Sequence, residues 1–275
     1  MYEQRIYKAG DYYLIKNHTP IRRGTGARKK REKTTSESRK RMNDKKRAER
    51  IQLLILANFD MGFHIILDYP KDKRPESYEE ADKNLTKFLH RMSRRYKRQN
   101  KKFKYLATTE RGKRRAALHH HLIVESLPGI IEDIAADWGP HIKIFKMYQD
   151  GGYKDLAEYF VKAETKEEAR FGKSRFHRSR NLINPIEKTK VKDGSFKQEP
   201  RAPEGYRIVE NSLKNGFNER VGVRYQKYLL QRDGPRQQAK KSEQKGKQKC
   251  SFRESLKKLG SIFSKRSKRK RSRDG

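Results

Sequence analysis

The sequence has little cysteine, no long apolar run and a shortage of acidic charge. Its single cysteine, Cys250, excludes an internal disulfide framework and favours a reducing compartment. No apolar run reaches about 18 residues, so no segment is predicted to insert stably in a membrane. The first residues do not lead into the apolar core of a signal peptide. We therefore expect a cytoplasmic protein.

The shortage of acidic residues leaves a large positive charge. Lys and Arg number 71 against 34 Asp and Glu, which gives a formal net charge of +37. Self-repulsion on this scale opposes compaction and calls for a polyanionic partner. Nucleic acid is the first candidate and an anionic membrane surface the second. Hydrophobic residues make up only 32% of the 275, which predicts one core flanked by basic disordered arms.

Composition divides the chain into four parts. Residues 1–49 are predicted to form a basic, mostly disordered arm and the start of a helix. Residues 50–190 form the main domain. Residues 191–232 are a small extension of that domain, with strands that add a small second sheet. Residues 233–275, rich in Lys, Arg, Gln and Ser, are predicted to be a disordered basic tail.

Hydrophobic periodicity predicts a helix at about 36–56 and then strand, helix, strand, strand, helix, strand and helix. Segments 103–109 and 118–125 are predicted to pair as an antiparallel hairpin. The helix that begins near Ser77 has one apolar face, made of Ala81, Leu85, Phe88, Leu89, Met92 and Tyr96. This order predicts an α+β fold: a central, mainly antiparallel sheet with helices packed on one face of it.

Two histidines on the second strand of the hairpin are candidate metal ligands. Side chains alternate along a strand, so His119 and His121 are predicted to share a face and His120 to point the other way. Glu110, near the end of the paired strand, can add a carboxylate. Two imidazoles and a carboxylate suit Mn²⁺ or Mg²⁺, although the ligand types alone leave zinc open.

A tyrosine and a lysine on the last predicted helix are candidate catalytic residues. Tyr159 and Lys162 are three residues apart, so both can face one site. A phenol with a pKa of about 10 is a poor nucleophile at neutral pH. A metal ion on the phosphate and a nearby cation can make it effective. Attack by Tyr159 on DNA would leave a 5′-phosphotyrosine and a free 3′-OH, a step that can be reversed to rejoin the strand.

The order Glu, His-x-His, Tyr-x-x-Lys resembles the HUH endonucleases. Within that superfamily it is most similar to the single-tyrosine rolling-circle replication initiators of phages, plasmids and mobile elements of Gram-positive bacteria. The resemblance covers roughly residues 50–190 and includes Thr109–Gly112, His119–Leu122 and Leu156–Tyr159. It implies metal ligands at His119, His121 and Glu110, the nucleophile at Tyr159, and a lysine at Lys162 that steadies the phosphate or the metal.

The resemblance also implies partners. A protein of this kind nicks single-stranded or hairpin origin DNA and depends on a host helicase and DNA polymerase. The sequence contains no Gly-x-x-x-x-Gly-Lys-Ser/Thr motif, so unwinding is expected from another protein.

Other functions stay open. A transposase would use the same chemistry, and so would a relaxase. Relaxases place the tyrosine before the histidines, which would assign its role to Tyr12 or Tyr13. A noncatalytic nucleic-acid-binding protein would need neither metal nor nucleophile. The histidine pair would then be incidental, and Tyr159 would be a core aromatic residue.

Overall fold

The structure is a computed structural model that describes residues 1–20, 37–112, 117–147, 150–165, 176–219 and 222–234, without the side chains of residues 150, 151 and 162–165. In chain order its elements are β1 (Tyr2–Ala9), β2 (Tyr12–His18), α1 (Glu37–Asn58), β3 (Phe63–Leu67), α2 (Tyr78–Arg98), β4 (Tyr105–Arg111), β5 (Leu118–Val124), α3 (Ile130–Trp138), β6 (Ile142–Lys146), α4 (Lys154–Thr165), β7 (His177–Arg178), β8 (Ile186–Lys192), β9 (Tyr206–Ile208), β10 (Lys214–Asn218) and β11 (Val223–Arg232).

The described strands form two antiparallel sheets, which confirms the predicted α+β class. The first sheet has the order β6-β3-β5-β4-β7, so the predicted hairpin of β4 and β5 lies at its centre. The second sheet has the order β10-β11-β2-β1-β8, with β9 also paired to β11. Among the described residues, no helix has the length and apolar character needed to cross a membrane.

Helix α2 covers one face of the five-stranded sheet. It begins where Ser77 caps it by accepting a hydrogen bond from the backbone N–H of Glu80 at 3.2 Å. The predicted apolar face is confirmed, since all six of its residues are buried. They pack with α3 against side chains of β3 and β5, among them Leu67 and Leu122.

The prediction that helices cover only one face of the sheet is wrong. Helices α1 and α4 lie on the opposite face, in a second core cluster that includes Leu54, Phe160 and Ile123. The physical reason is visible in β5, where the consecutive residues Leu122 and Ile123 are both 0% exposed. A strand that is apolar on both faces needs cover on both faces.

The prediction of disorder for the start of the chain is also wrong. Strands β1 and β2 form a hairpin through Gly10, whose φ of 61° suits a residue without a side chain. One face of this hairpin packs on α1 through Tyr12 and Leu14. Charged residues alternate with these apolar ones, and a basic average composition conceals that alternation. Strands β9 and β11 fall near the extended segments predicted within residues 191–232, but they join this larger sheet.

The remaining parts of the predicted arms, residues 21–36 and 235–275, lie outside the described residues. Where α1 faces the second sheet, Glu49 accepts hydrogen bonds from Lys16 of β2 and Lys227 of β11. These contacts add a polar tie between α1 and the sheet.

Candidate metal and nucleophile site

The hairpin of β4 and β5 places three possible metal ligands on one face. Glu110 lies directly opposite His119, and Thr108 lies opposite His121. The Nε2 atoms of the two histidines are 3.1 Å apart. Glu110 Oε2 is 3.3 Å from Nε2 of His121 and 3.9 Å from Nε2 of His119. One atom of each residue therefore lies within 4.8 Å of the others, close enough to share one ion.

Helix α4 brings Tyr159 to the same three residues. Ala157 and Phe160 are 0% and 1% exposed, and they fix the helix on the core. Tyr159 points the other way and is 39% exposed. Its hydroxyl donates to Glu110 Oε2 at 2.7 Å and lies 3.1 Å from His121 Nε2. A phenolic oxygen is thus held beside the possible ligands at a position that solvent and a large substrate can reach.

The structure places Lys162 on α4, one turn after Tyr159. Its side chain is outside the described part of the molecule, so its predicted contact with phosphate or metal stays a prediction.

The protonation states at the site favour metal binding. The hydrogen bond from His121, with a smaller contribution from Tyr159, lowers the pKa of Glu110 to about 2 despite partial burial. Burial, followed by the nearby His121, lowers the pKa of His119. At neutral pH Glu110 is therefore ionised and His119 is neutral. These are the forms in which the two side chains bind a cation.

The same surroundings keep Tyr159 protonated. Burial is the main cause of its raised pKa, and the hydrogen bond to Glu110 adds to the effect. A phenol with a raised pKa is a weak nucleophile. The contact with Glu110 consequently positions the hydroxyl without activating it.

A further histidine, His64 on β3, touches the site from behind. The sequence interpretation treats it as a packing or surface residue. In the structure its Nε2 is 3.1 Å from Nδ1 of His121, and the two rings stack with centroids 5.3 Å apart. Burial lowers the pKa of His64 to about 3, so it is neutral. Only the pairing of Ile66 with His121 brings β3 here, and a single sequence does not reveal that register.

His120 lies on the opposite face of β5, as strand alternation predicts. It is 0% exposed. Its Nε2 is 2.6 Å from the hydroxyl of Tyr69, and its Nδ1 is 2.9 Å from the hydroxyl of Thr109. Burial lowers the pKa of His120 to about 3, so the ring is neutral and carries one N–H. His120 therefore ties β5 to β4 and to the end of β3, away from the metal ligands.

Replacing His120 with alanine should destabilise the fold while leaving the metal ligands in place. The change removes two buried hydrogen bonds and leaves a cavity, which costs on the order of 2–4 kcal/mol. Thermal unfolding of this variant should be compared with that of His90→Ala, an exposed histidine on α2. Wild-type stability in His120→Ala would contradict the buried network. A total loss of Mn²⁺ affinity in the folded variant would contradict the assignment of faces.

The tyrosines near the N-terminus do not reach this site. Tyr12 is 1% exposed and packs in the core beneath α1. Tyr13 points to the other face of the second sheet, where its ring meets that of Tyr206 edge-on at 5.5 Å. Among the described tyrosines, Tyr159 is the one with a hydroxyl hydrogen-bonded to the Glu110 and histidine group.

Residues 63–168 match the model of a family described as replication-associated protein ORF2. The match begins with β3, contains the whole hairpin, and ends just beyond α4. It therefore includes Glu110, His119, His121, Tyr159 and Lys162. Comparison with curated proteins gave no match, and neither did comparison with solved structures. The likeness to replication-associated proteins indicates a role in DNA replication and a DNA partner.

Proposed function

We propose that this protein is a rolling-circle replication initiator of the HUH endonuclease type. It would nick one strand of single-stranded or hairpin origin DNA, remain attached through Tyr159, and rejoin the strand after synthesis by host helicase and polymerase in the cytoplasm of a Gram-positive host. The observation that carries the proposal is the hydroxyl of Tyr159 lying 2.7 Å from the carboxylate of Glu110, within reach of both histidines. The family match covers this same segment.

Glu110, His119 and His121 are the residues that would hold a divalent ion, Mn²⁺ or Mg²⁺. When bound, such an ion supplies positive charge that offsets the negative charge of the scissile phosphate. The buried positions of Glu110 and His121, at 7% and 1% exposure, keep both ligands in fixed orientations. His119, partly exposed, lies nearer the solvent side on which DNA would approach.

Tyr159 is the proposed nucleophile. Its phenolic oxygen forms a bond to phosphorus while the bond between phosphorus and the 3′ oxygen breaks. The phenolic proton is released, and the leaving 3′ oxygen takes up a proton to become a 3′-OH. One phosphodiester replaces another, so the reverse step needs no added energy source. Lys162, one turn further along α4, is proposed to steady the phosphate.

His64 is proposed to position His121. If His121 binds the ion through Nε2, its proton must sit on Nδ1, which can then donate to Nε2 of His64 across the observed 3.1 Å. His64→Phe retains a ring but removes the acceptor, so Mn²⁺ affinity should fall about 10–100-fold. His64→Gln, which retains a polar partner, should lose less. Isothermal titration with Mn²⁺ measures both. Unchanged affinity in His64→Phe would exclude the positioning role.

The proposed function can be tested without knowing the origin sequence. The full-length protein is incubated with single-stranded oligonucleotides of random central sequence, with Mn²⁺ or with a chelator. A DNA–protein adduct that survives denaturation should form only with the metal. A noncatalytic DNA-binding protein would shift the oligonucleotides in a native gel and leave no such adduct, an outcome that would overturn the proposal.

A transposase or relaxase remains the nearest alternative, because both use a similar site. The relaxase arrangement is disfavoured by the buried position of Tyr12 and by the outward position of Tyr13. A transposase differs in its DNA substrate rather than in its site. Sequencing the oligonucleotides captured above, and locating the cleaved sequence at an origin or at an element's ends, distinguishes the two.

A further inference from the structure

The first half of α1 extends beyond the core. Residues 38–43 and 45–47 are exposed, whereas burial becomes continuous from Ile51. We call residues 37–50 the basic half of α1. At 1.5 Å per residue it is about 20 Å long. Helices in globular proteins are stabilised mainly by burying an apolar face, and this half buries almost none among the described residues.

The basic half of α1 carries an excess of positive charge. It contains seven Lys or Arg and three Asp or Glu. All three acids have partners: Glu37 pairs with Lys40 at 3.2 Å, Asp44 pairs with Arg47 at 3.4 Å, and Glu49 faces the second sheet. Within the described part of the chain, the cations that form no ion pair are Arg39, Arg41, Lys45, Lys46 and Arg50.

Three of these cations form a straight row. Arg39, Lys46 and Arg50 are separated by seven and four residues, so they lie within about 40° of one another around the helix axis. The row spans about 16 Å along the helix. All three side chains are exposed, and Ala48, on the opposite side, is the residue that contacts the core.

This row fits a regular polyanion. Rigid rows of Lys and Arg bind phosphate backbones without reading sequence. Surfaces for single strands also carry aromatic side chains on which bases stack. The basic half of α1 contains no aromatic residue. Its chemistry therefore matches duplex phosphates better than an unpaired strand, and an α-helix has the width to lie in or across a duplex groove.

We propose that the basic half of α1 binds the phosphate backbone of duplex DNA beside the single strand that Tyr159 cleaves. This inference rests on the proposed nuclease function, and it assigns the duplex portion of a hairpin or of a replication origin to a separate surface. Binding there would hold the unpaired strand near the site through contacts that take no part in the chemistry.

The test is a salt titration of duplex binding by Arg39→Gln/Lys46→Gln/Arg50→Gln. Glutamine preserves helix propensity and removes the three charges. The control is Lys188→Gln/Lys190→Gln/Lys192→Gln, which removes three exposed charges from β8. Anisotropy of a labelled duplex of arbitrary sequence, about three helical turns long and in chelator, measures binding without cleavage. A failure of the nuclease proposal therefore leaves this measurement intact.

In the α1 variant, the slope of log affinity against log salt should become shallower by about 2–3, because each duplex phosphate contact contributes about 0.9. The control should change less. Affinity for a single-stranded oligonucleotide, and adduct formation with it at saturating protein, should stay near wild type. An unchanged duplex slope in the α1 variant would overturn the proposal. An equal change in the control, or an equal loss on single strands, would reduce the effect to general charge and overturn it as well.

Discussion

Tyr159→Phe is expected to abolish formation of the covalent DNA adduct, with a loss of about a thousandfold or more in single-turnover rate. The change removes only the attacking oxygen. Affinity for single-stranded DNA should stay within about twofold of wild type, since binding depends on many phosphate contacts. The Tyr159 ring also packs edge-on against His121 at 5.0 Å, and phenylalanine preserves that packing.

The matched control is Tyr225→Phe. Tyr225 is 46% exposed on β11, and its ring lies over Gly216. The control should form the adduct at the wild-type rate. Rates are measured on denaturing gels with labelled single-stranded DNA at saturating protein. A full-strength adduct in Tyr159→Phe would assign the nucleophile to another residue.

Single replacements of the two histidines should each remove metal binding as well as cleavage. His119→Ala and His121→Ala each delete one of three possible ligands, and Mn²⁺ affinity should fall at least about 100-fold. His121→Ala should be the more severe, because that ring also contacts Glu110, Tyr159 and His64. Excess Mn²⁺ should restore cleavage only in part.

Isothermal titration with Mn²⁺ in the absence of DNA separates metal binding from chemistry. His90→Ala, on the exposed side of α2, serves as the control and should bind Mn²⁺ like the wild type. Wild-type Mn²⁺ affinity in both His119→Ala and His121→Ala would remove the metal site from the account. Normal Mn²⁺ affinity with lost cleavage would give the histidines a different role.

The elements that could be predicted from sequence are those with strong local patterns. The apolar face of α2 repeats at helical spacing with a capping serine at its start, and each of its residues is buried as expected. The hairpin of β4 and β5 joins two apolar, β-rich segments through a short basic turn. Because strand alternation fixes which side chains share a face, the positions of Glu110, His119 and His121 on one face followed from the hairpin alone.

The parts that could not be predicted depend on contacts distant in sequence. His64 reaches His121 only because β3 pairs with β5 in one register, and no local pattern encodes that register. Strand β2 is packed between β1 and β11, which is distant in the chain, and its charged residues obscured its apolar alternation. Likewise, the burial of His120 against Tyr69 requires β3 and β5 to be neighbours.

The central claim is that Tyr159 becomes joined to the 5′ end of cleaved DNA. The most direct measurement is mass spectrometry of the adduct formed with an oligonucleotide labelled at its 3′ end. Trypsin should release peptide 155–162, in which Tyr159 is the sole tyrosine, carrying a 5′-phosphonucleotide after nuclease digestion. The account predicts that the 3′ label stays with the protein and that a 5′ label leaves with the other fragment. A nucleotide on a different peptide, or a retained 5′ label, would contradict it.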